Sequence, residues 1–178
     1  MKKYQRTAII GSCGAGKSTF ARQLGKIIGI EVIHLDKHYW KPGWVRSSKQ
    51  QWEARQKQLM SKEAWIIDGN YRSSFHIRFP VADTIIFFDF PKWLCLWRAI
   101  RRRFQYHNKS REDLGGINKE RISWEYLRWI MMYPRKETLE KLNIYKDSKN
   151  IIVFKKPRDV RKFLNAIKSK RPGQGING

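Results

Sequence analysis

Gly11-Ser12-Cys13-Gly14-Ala15-Gly16-Lys17-Ser18-Thr19 decides how this chain of 178 residues is read. The run Thr7-Ala8-Ile9-Ile10 before it is β-like, and Phe20 to Ile28 after it is helix-like. The stretch is therefore G-x-x-x-x-G-K-S between a strand and a helix, the setting that gives the motif its meaning. Gly11, Gly14 and Gly16 let the backbone take positive φ and pass close to a ligand. Consecutive main-chain N–H groups, from Gly11 and from Cys13 through Gly14, Ala15 and Gly16 to Thr19, then converge on a phosphate. The positive end of the following helix helps them. Lys17 extends to the β- and γ-phosphates, and the Ser18 hydroxyl is a hard oxygen ligand for Mg²⁺. A plain turn needs one or two glycines and gives no reason for Lys-Ser-Thr to follow.

Composition narrows the class. With 41% hydrophobic and 13% aromatic residues the chain can bury a core, and its length suits one domain over residues 1–168. Of the two cysteines, Cys13 lies in the loop and Cys95 in an apolar helix-like run. Neither has metal-ligand spacing and the pair makes no disulfide framework, which points to a reducing, cytoplasmic setting. Met1-Lys2-Lys3 leads into a strand rather than an apolar leader, and no window of about 18 apolar residues occurs, so no membrane partner is expected. The net charge of +23, from 38 basic and 15 acidic residues, attracts polyanions without choosing among nucleotides, nucleic acid and anionic lipid.

Strand and helix patterns alternate along the rest of the chain. A second strand, Glu31 to Leu35, ends at Asp36, and an aromatic, basic loop with a Pro-Gly turn follows it from Lys37 to Trp44. Ser47 or Ser48 can cap a helix to about Ser61. Trp65-Ile66-Ile67-Asp68-Gly69 is a third strand and Ala82 to Asp89 a fourth, continuous in apolar residues as in a sheet covered on both faces. The helix after Pro91 ends in Arg98 and Arg101-Arg102-Arg103. A polar, basic flap over about 104–122 contains Gly115-Gly116. A helix from about Lys119 to Met132 carries Trp124, Trp129 and Ile130 in an apolar band expected to be partly core. A fifth strand, Asn150 to Phe154, precedes a last helix, and the tail 169–178 shows no apolar pattern and is expected to be disordered. The alternation predicts a parallel α/β sheet with its ligand at the strands' carboxyl ends.

Three carboxylates, Asp36, Asp68 and Asp89, close predicted strands and should converge near the loop. Asp68 is the first choice to hold Mg²⁺ opposite Ser18. Asp89 is either a second such acid or the cap of the next helix. Asp36 either orients an attacking hydroxyl and takes its proton or is a turn residue beside Lys37 and His38. Tyr39, Trp40 and Trp44 favour the first, as a wall on which a ring can stack. Arg98 and Arg102 share a helix face, either as a solvated basic surface or as guanidinium groups for a base and a transferring phosphate. Arg72 is placed to take an acceptor's anionic group.

The phosphate loop, Asp36 after the second strand, Trp65-Ile-Ile-Asp-Gly-Asn-Tyr-Arg72 and Phe88-Asp-Phe-Pro with its arginine helix together resemble the DNA topology modulation (FlaR-type) proteins. These belong to the adenylate kinase-like branch of the P-loop kinases. His34 to Trp44 is the most distinctive segment of that likeness. The resemblance implies a P-loop NTPase fold: an α/β, five-stranded parallel sheet in the order 2-3-1-4-5, helices on both faces and a short helical lid. It implies ATP and Mg²⁺ as cofactors, with Asp68 serving the metal. Gly69 and Arg72 would then lie at the acceptor, Arg98 on the adenine and Arg102 at phosphate. The aspartate and aromatics after the second strand resemble kinases that phosphorylate a hydroxyl rather than AMP. Arg111 and Arg121 are candidate phosphate-reaching residues of the flap.

The expectation is thus an ATP-dependent kinase of a small-molecule acceptor, nucleoside- or nucleotide-like or another hydroxyl compound. Lys17, Asp36 and Arg102 would be its catalytic groups. A rival is a nucleic-acid-associated ATP-binding protein whose charge contacts DNA non-specifically.

Overall fold

The computed structural model describes residues 4–105 and 123–170. Its centre is a parallel sheet of β1 (Arg6–Gly11), β2 (Val32–His34), β3 (Trp65–Asp68), β4 (Thr84–Phe88) and β5 (Asn150–Phe154), in the order 2-3-1-4-5. Successive side chains of a strand face opposite ways, and here both ways are apolar. Ile9, Ile66, Ile86 and Phe88 enter one buried cluster, whereas Ala8, Ile10, Trp65, Ile67, Ile85 and Phe87 enter the other. That double burial is why the strands read as nearly unbroken apolar runs.

The helices are α1 (Lys17–Ile28), α2 (Asp36–Tyr39), α3 (Lys49–Leu59), α4 (Phe75–Arg78), α5 (Lys92–Gln105), α6 (Trp124–Met131), α7 (Arg135–Asn143) and α8 (Pro157–Ser169). Residues of α1, α5, α6 and α8 cover the first face, and Trp52 of α3, Phe75 of α4 and Leu142 of α7 cover the second. Phe20, Phe88, Phe154 and Phe163 meet at ring-centre distances of 5.3 to 5.9 Å, tying α1 and α8 to the middle and edge of the sheet. Each such pair adds about 0.5–1.5 kcal/mol beyond the area it buries, so the helix behind the loop is firmly seated.

The predicted elements and order are the observed ones, with three differences. The segment after Asp36 is not a plain loop: α2 is followed by a short antiparallel hairpin, Trp40–Lys41 against Val45–Arg46. Of the apolar band on α6 only Ile130 is buried; Trp124 and Trp129 are 84% and 52% exposed. Asp89 forms a two-pronged ion pair with Arg135, at 2.5 and 2.7 Å, instead of joining the other acids. The flap beyond Gln105, with Arg111 and Arg121, and the tail beyond Lys170 lie outside the described residues. Among the described residues no helix is long and apolar enough to cross a membrane.

Candidate active site

Register places the chemistry at one rim. Ile9 and His34 both pair with Asp68, and Gly11 pairs with Phe88, so β1 to β4 end together where the loop begins. Gly16, at φ 94°, starts α1 with no side-chain cap and no acid in its first turn. The leading N–H groups of a helix have no intrahelical partner, so this end is suited to an anion. Gly14 is pressed against α5: a Cβ there would lie 2.1 Å from the Cys95 carbonyl oxygen. Lys17 Nζ donates to the Ser12 carbonyl at 2.9 Å, across the mouth of the loop.

Asp68 is buried, and its Oδ2 is 2.9 Å from His34 Nδ1. Its Oδ1 is buried with no hydrogen-bond partner among the described residues. An orphaned carboxylate oxygen at the sheet rim suits a water or a hard cation, so Asp68 and Ser18 fit Mg²⁺. Among the described residues no group of three or more His, Cys, Asp or Glu could hold a metal alone.

Asp36 Oδ1 accepts the Tyr71 hydroxyl at 2.6 Å. Burial, then the Asp36 charge, pushes the Tyr71 phenol far up, so it stays a donor. The Tyr71 ring packs, tilted by 55°, against Tyr39 at 4.6 Å and Trp52 at 4.8 Å, and Trp40 meets Trp44 edge to face at 5.3 Å. Gly69 and Tyr71 present their carbonyls to the wholly buried Arg78, at 2.7 and 2.9 Å. Loss of water around that guanidinium draws its pKa down to about 9. Arg72 pairs with Glu137, which also binds Lys141 at 3.0 Å.

One cavity of about 1760 Å³ takes in both groups. It is lined by the loop from Cys13 to Thr19, by Arg98 and Arg102, and by Asp36, Tyr39, Trp40, Trp44, Asp68, Gly69 and Arg72. Gly11 stands behind it, its N–H donating to Asn70 Oδ1 at 3.3 Å. The volume exceeds the roughly 300–1,000 Å³ of a single small-ligand pocket, leaving room for two. Arg98 is braced between the Phe90 ring, 5.6 Å away, and the Ala15 carbonyl oxygen at 3.4 Å. Arg102 donates to the Tyr126 hydroxyl at 2.9 Å.

Sequence reasoning passed over His34, Asn70, Tyr71, Arg78, Tyr126 and Glu137. His34, Asn70 and Tyr71 stood inside segments already singled out, and a polar residue at a strand end beside Asp68 was the available signal. Nothing local marked Tyr126 or Glu137, whose partners Arg102 and Arg72 lie on other elements, nor Arg78, whose partners are the Gly69 and Tyr71 carbonyls nine and seven residues back. Val160 and Arg161 of α8, which also line the cavity, carried no motif.

Neither a protein-family model nor a curated protein matches the chain. Solved structures do share its fold. A deoxyadenosine kinase from M. mycoides, with products dCMP and a flexible dCDP bound, is 20% identical over 92% of this chain and 96% of its own, at TM-score 0.50. A shikimate kinase from Acinetobacter baumannii, in complex with shikimate, is 16% identical over 96% of both chains, at TM-score 0.53. A gluconokinase from Sinorhizobium meliloti 1021 is 12% identical over 95% of this chain and 92% of its own, at TM-score 0.52. The likeness is one of fold: the chain has the parallel α/β architecture of P-loop kinases.

Proposed function

We propose that this protein is an ATP-dependent kinase that passes the γ-phosphoryl group to a hydroxyl of a small molecule. The observation that carries the reading is a juxtaposition: the amino end of α1 with Lys17 and the Asp36 carboxylate with its ring wall line one cavity. The loop N–H groups would hold the phosphates, and Lys17 would exchange the Ser12 carbonyl for them. Ser18 and Asp68 would hold Mg²⁺, whose charge offsets that of the phosphates. Arg98 would stack on the adenine and Arg102 would meet the transferring group. Asp36, kept in place by Tyr71, would orient the acceptor hydroxyl, with Tyr39, Trp40, Trp44, Gly69 and Arg72 framing the acceptor.

Phosphoryl transfer depends on positioning and charge stabilisation. Lys17→Ala should therefore lower ATP turnover by about 10²–10³-fold or more, while the thermal midpoint without nucleotide stays put. Full turnover in that variant would end this reading.

We also read the chain as a FlaR-type member of the adenylate kinase-like branch, on the segments that carry that resemblance, with any effect on DNA topology indirect. Arg98, Arg101, Arg102 and Arg161 line the cavity, where a triphosphate would draw them, but they are four of 38 basic residues, so the +23 charge by itself chooses no partner. Charge alone predicts duplex binding that weakens steeply with salt. Tight, salt-resistant binding would favour the nucleic-acid rival instead.

A further inference from the structure

On the kinase reading, the acceptor side of the cavity has a charge pattern of its own. Arg72 reaches that wall, yet its guanidinium is paired with Glu137, a carboxylate of α7. Lys141, and after it Arg72, pull the Glu137 carboxyl below the usual range. Glu137 stands behind Arg72 and is not itself a lining residue, whereas Asp36 places a negative group in the cavity wall. Arg46 also lines the cavity, but it is exposed on the hairpin, where solvent and salt screen it.

Beside Asp36 the wall is apolar and pre-built. Tyr71, Tyr39, Trp40 and Trp44 follow one another with ring centres 4.6, 5.0 and 5.3 Å apart, and buried Trp52 backs Tyr39 and Tyr71. The rings meet tilted or edge to face. The wall thus offers several aromatic faces and edges, already held in place, against which a flat ring can pack at little ordering cost.

We propose that the acceptor is an uncharged compound joining a flat ring to a hydroxyl, nucleoside-like in chemistry, and that Glu137 excludes phosphate monoesters by holding Arg72. A monoester dianion must displace Glu137 and sit near Asp36, which is specificity by an unfavourable element as well as a favourable one. The transfer balances. The acceptor oxygen bonds to the γ-phosphorus, its proton passes to Asp36, and the β–γ bridging P–O bond breaks to leave ADP.

The test is calorimetry on the full chain with Mg²⁺ and a non-hydrolysable ATP analogue. The probes are nucleosides, their 5′-monophosphates and neutral sugars without a flat ring. At least one nucleoside should bind about tenfold or more tightly than its monophosphate, a difference near 1.4 kcal/mol, and more tightly than every sugar. Glu137→Gln should narrow that gap about three- to fivefold, the size an exposed ion pair allows. The gain should vanish when Arg72→Gln is added. Glu137 is itself exposed at 48% of its side chain, so the single variant should fold as the parent does. A tighter monophosphate, a preferred sugar, no nucleoside binding, or a gap that Glu137→Gln leaves unmoved would each overturn the acceptor assignment. Failure of the ATP analogue to bind would bring down the kinase reading instead.

Discussion

The loop from Cys13 to Thr19 and side chains between Asp36 and Arg46 line one cavity, yet only the first stretch is shaped by its own main chain. In the loop, Gly14 at φ 78° lies flush against α5, and Lys17 bonds back to Ser12 within the same nine residues. The hairpin side is open by contrast. Gly43 has φ 75°, yet a Cβ there would meet nothing within 4 Å. Its ring wall is set by residues from elsewhere: Tyr71 holds Asp36, and Trp52 backs Tyr39. A backbone-built site is damaged by almost any added atom. A side-chain-built site tolerates backbone change and fails when a particular partner is lost.

The largest expected effect breaks the side-chain half. Asp36→Asn keeps the shape and the Tyr71 contact but cannot take a proton, so kcat should fall about 10²–10⁴-fold with little change in ATP binding. A variant within a few-fold of the parent would reduce Asp36 to a turn residue.

Next, the same substitution in both halves sharpens the contrast in stability. Gly14→Ala meets both a left-handed backbone and the Cys95 carbonyl, and should cost on the order of 2–4 kcal/mol. Gly43→Ala meets only the backbone conformation, at about 1 kcal/mol. Thermal unfolding would read this as a drop of roughly 4–16 °C against roughly 2–4 °C. Equal drops would show that the loop is no more tightly packed than the hairpin.

The smallest effect belongs to Tyr71→Phe, which keeps the ring stack and removes one donor to Asp36. About 1.5 kcal/mol is expected, or roughly tenfold in kcat, with the KM for ATP unchanged. A matching rise in the KM for ATP would place Tyr71 with the nucleotide rather than with Asp36.

Much of the fold could be read in advance because double burial writes itself as apolar runs: Ile66-Ile67 and Ile85 to Phe88 sit at the centre of the sheet. α6 shows the limit of that reasoning. Its tryptophans carry the pattern of a core face, but Ile130 is the residue buried in the core and Tyr126 packs against it, while Trp124 and Trp129 stay exposed. Apolar spacing reports a helix face and not what covers it. Asp89 shows another limit, since its partner Arg135 is 46 residues away and lies on another helix.

What the sequence determines alone is the loop and the strands around it, because glycine placement and apolar runs act over a few consecutive residues. The order of those strands was implied only by the family resemblance and is set by tertiary packing. Tertiary structure alone decided which side chain each acid meets: Asp68 with His34, Asp36 with Tyr71, Glu137 with Arg72. The first two pairs join residues 34 and 35 positions apart. Such meetings depend on strand register and helix packing, and no local pattern encodes either.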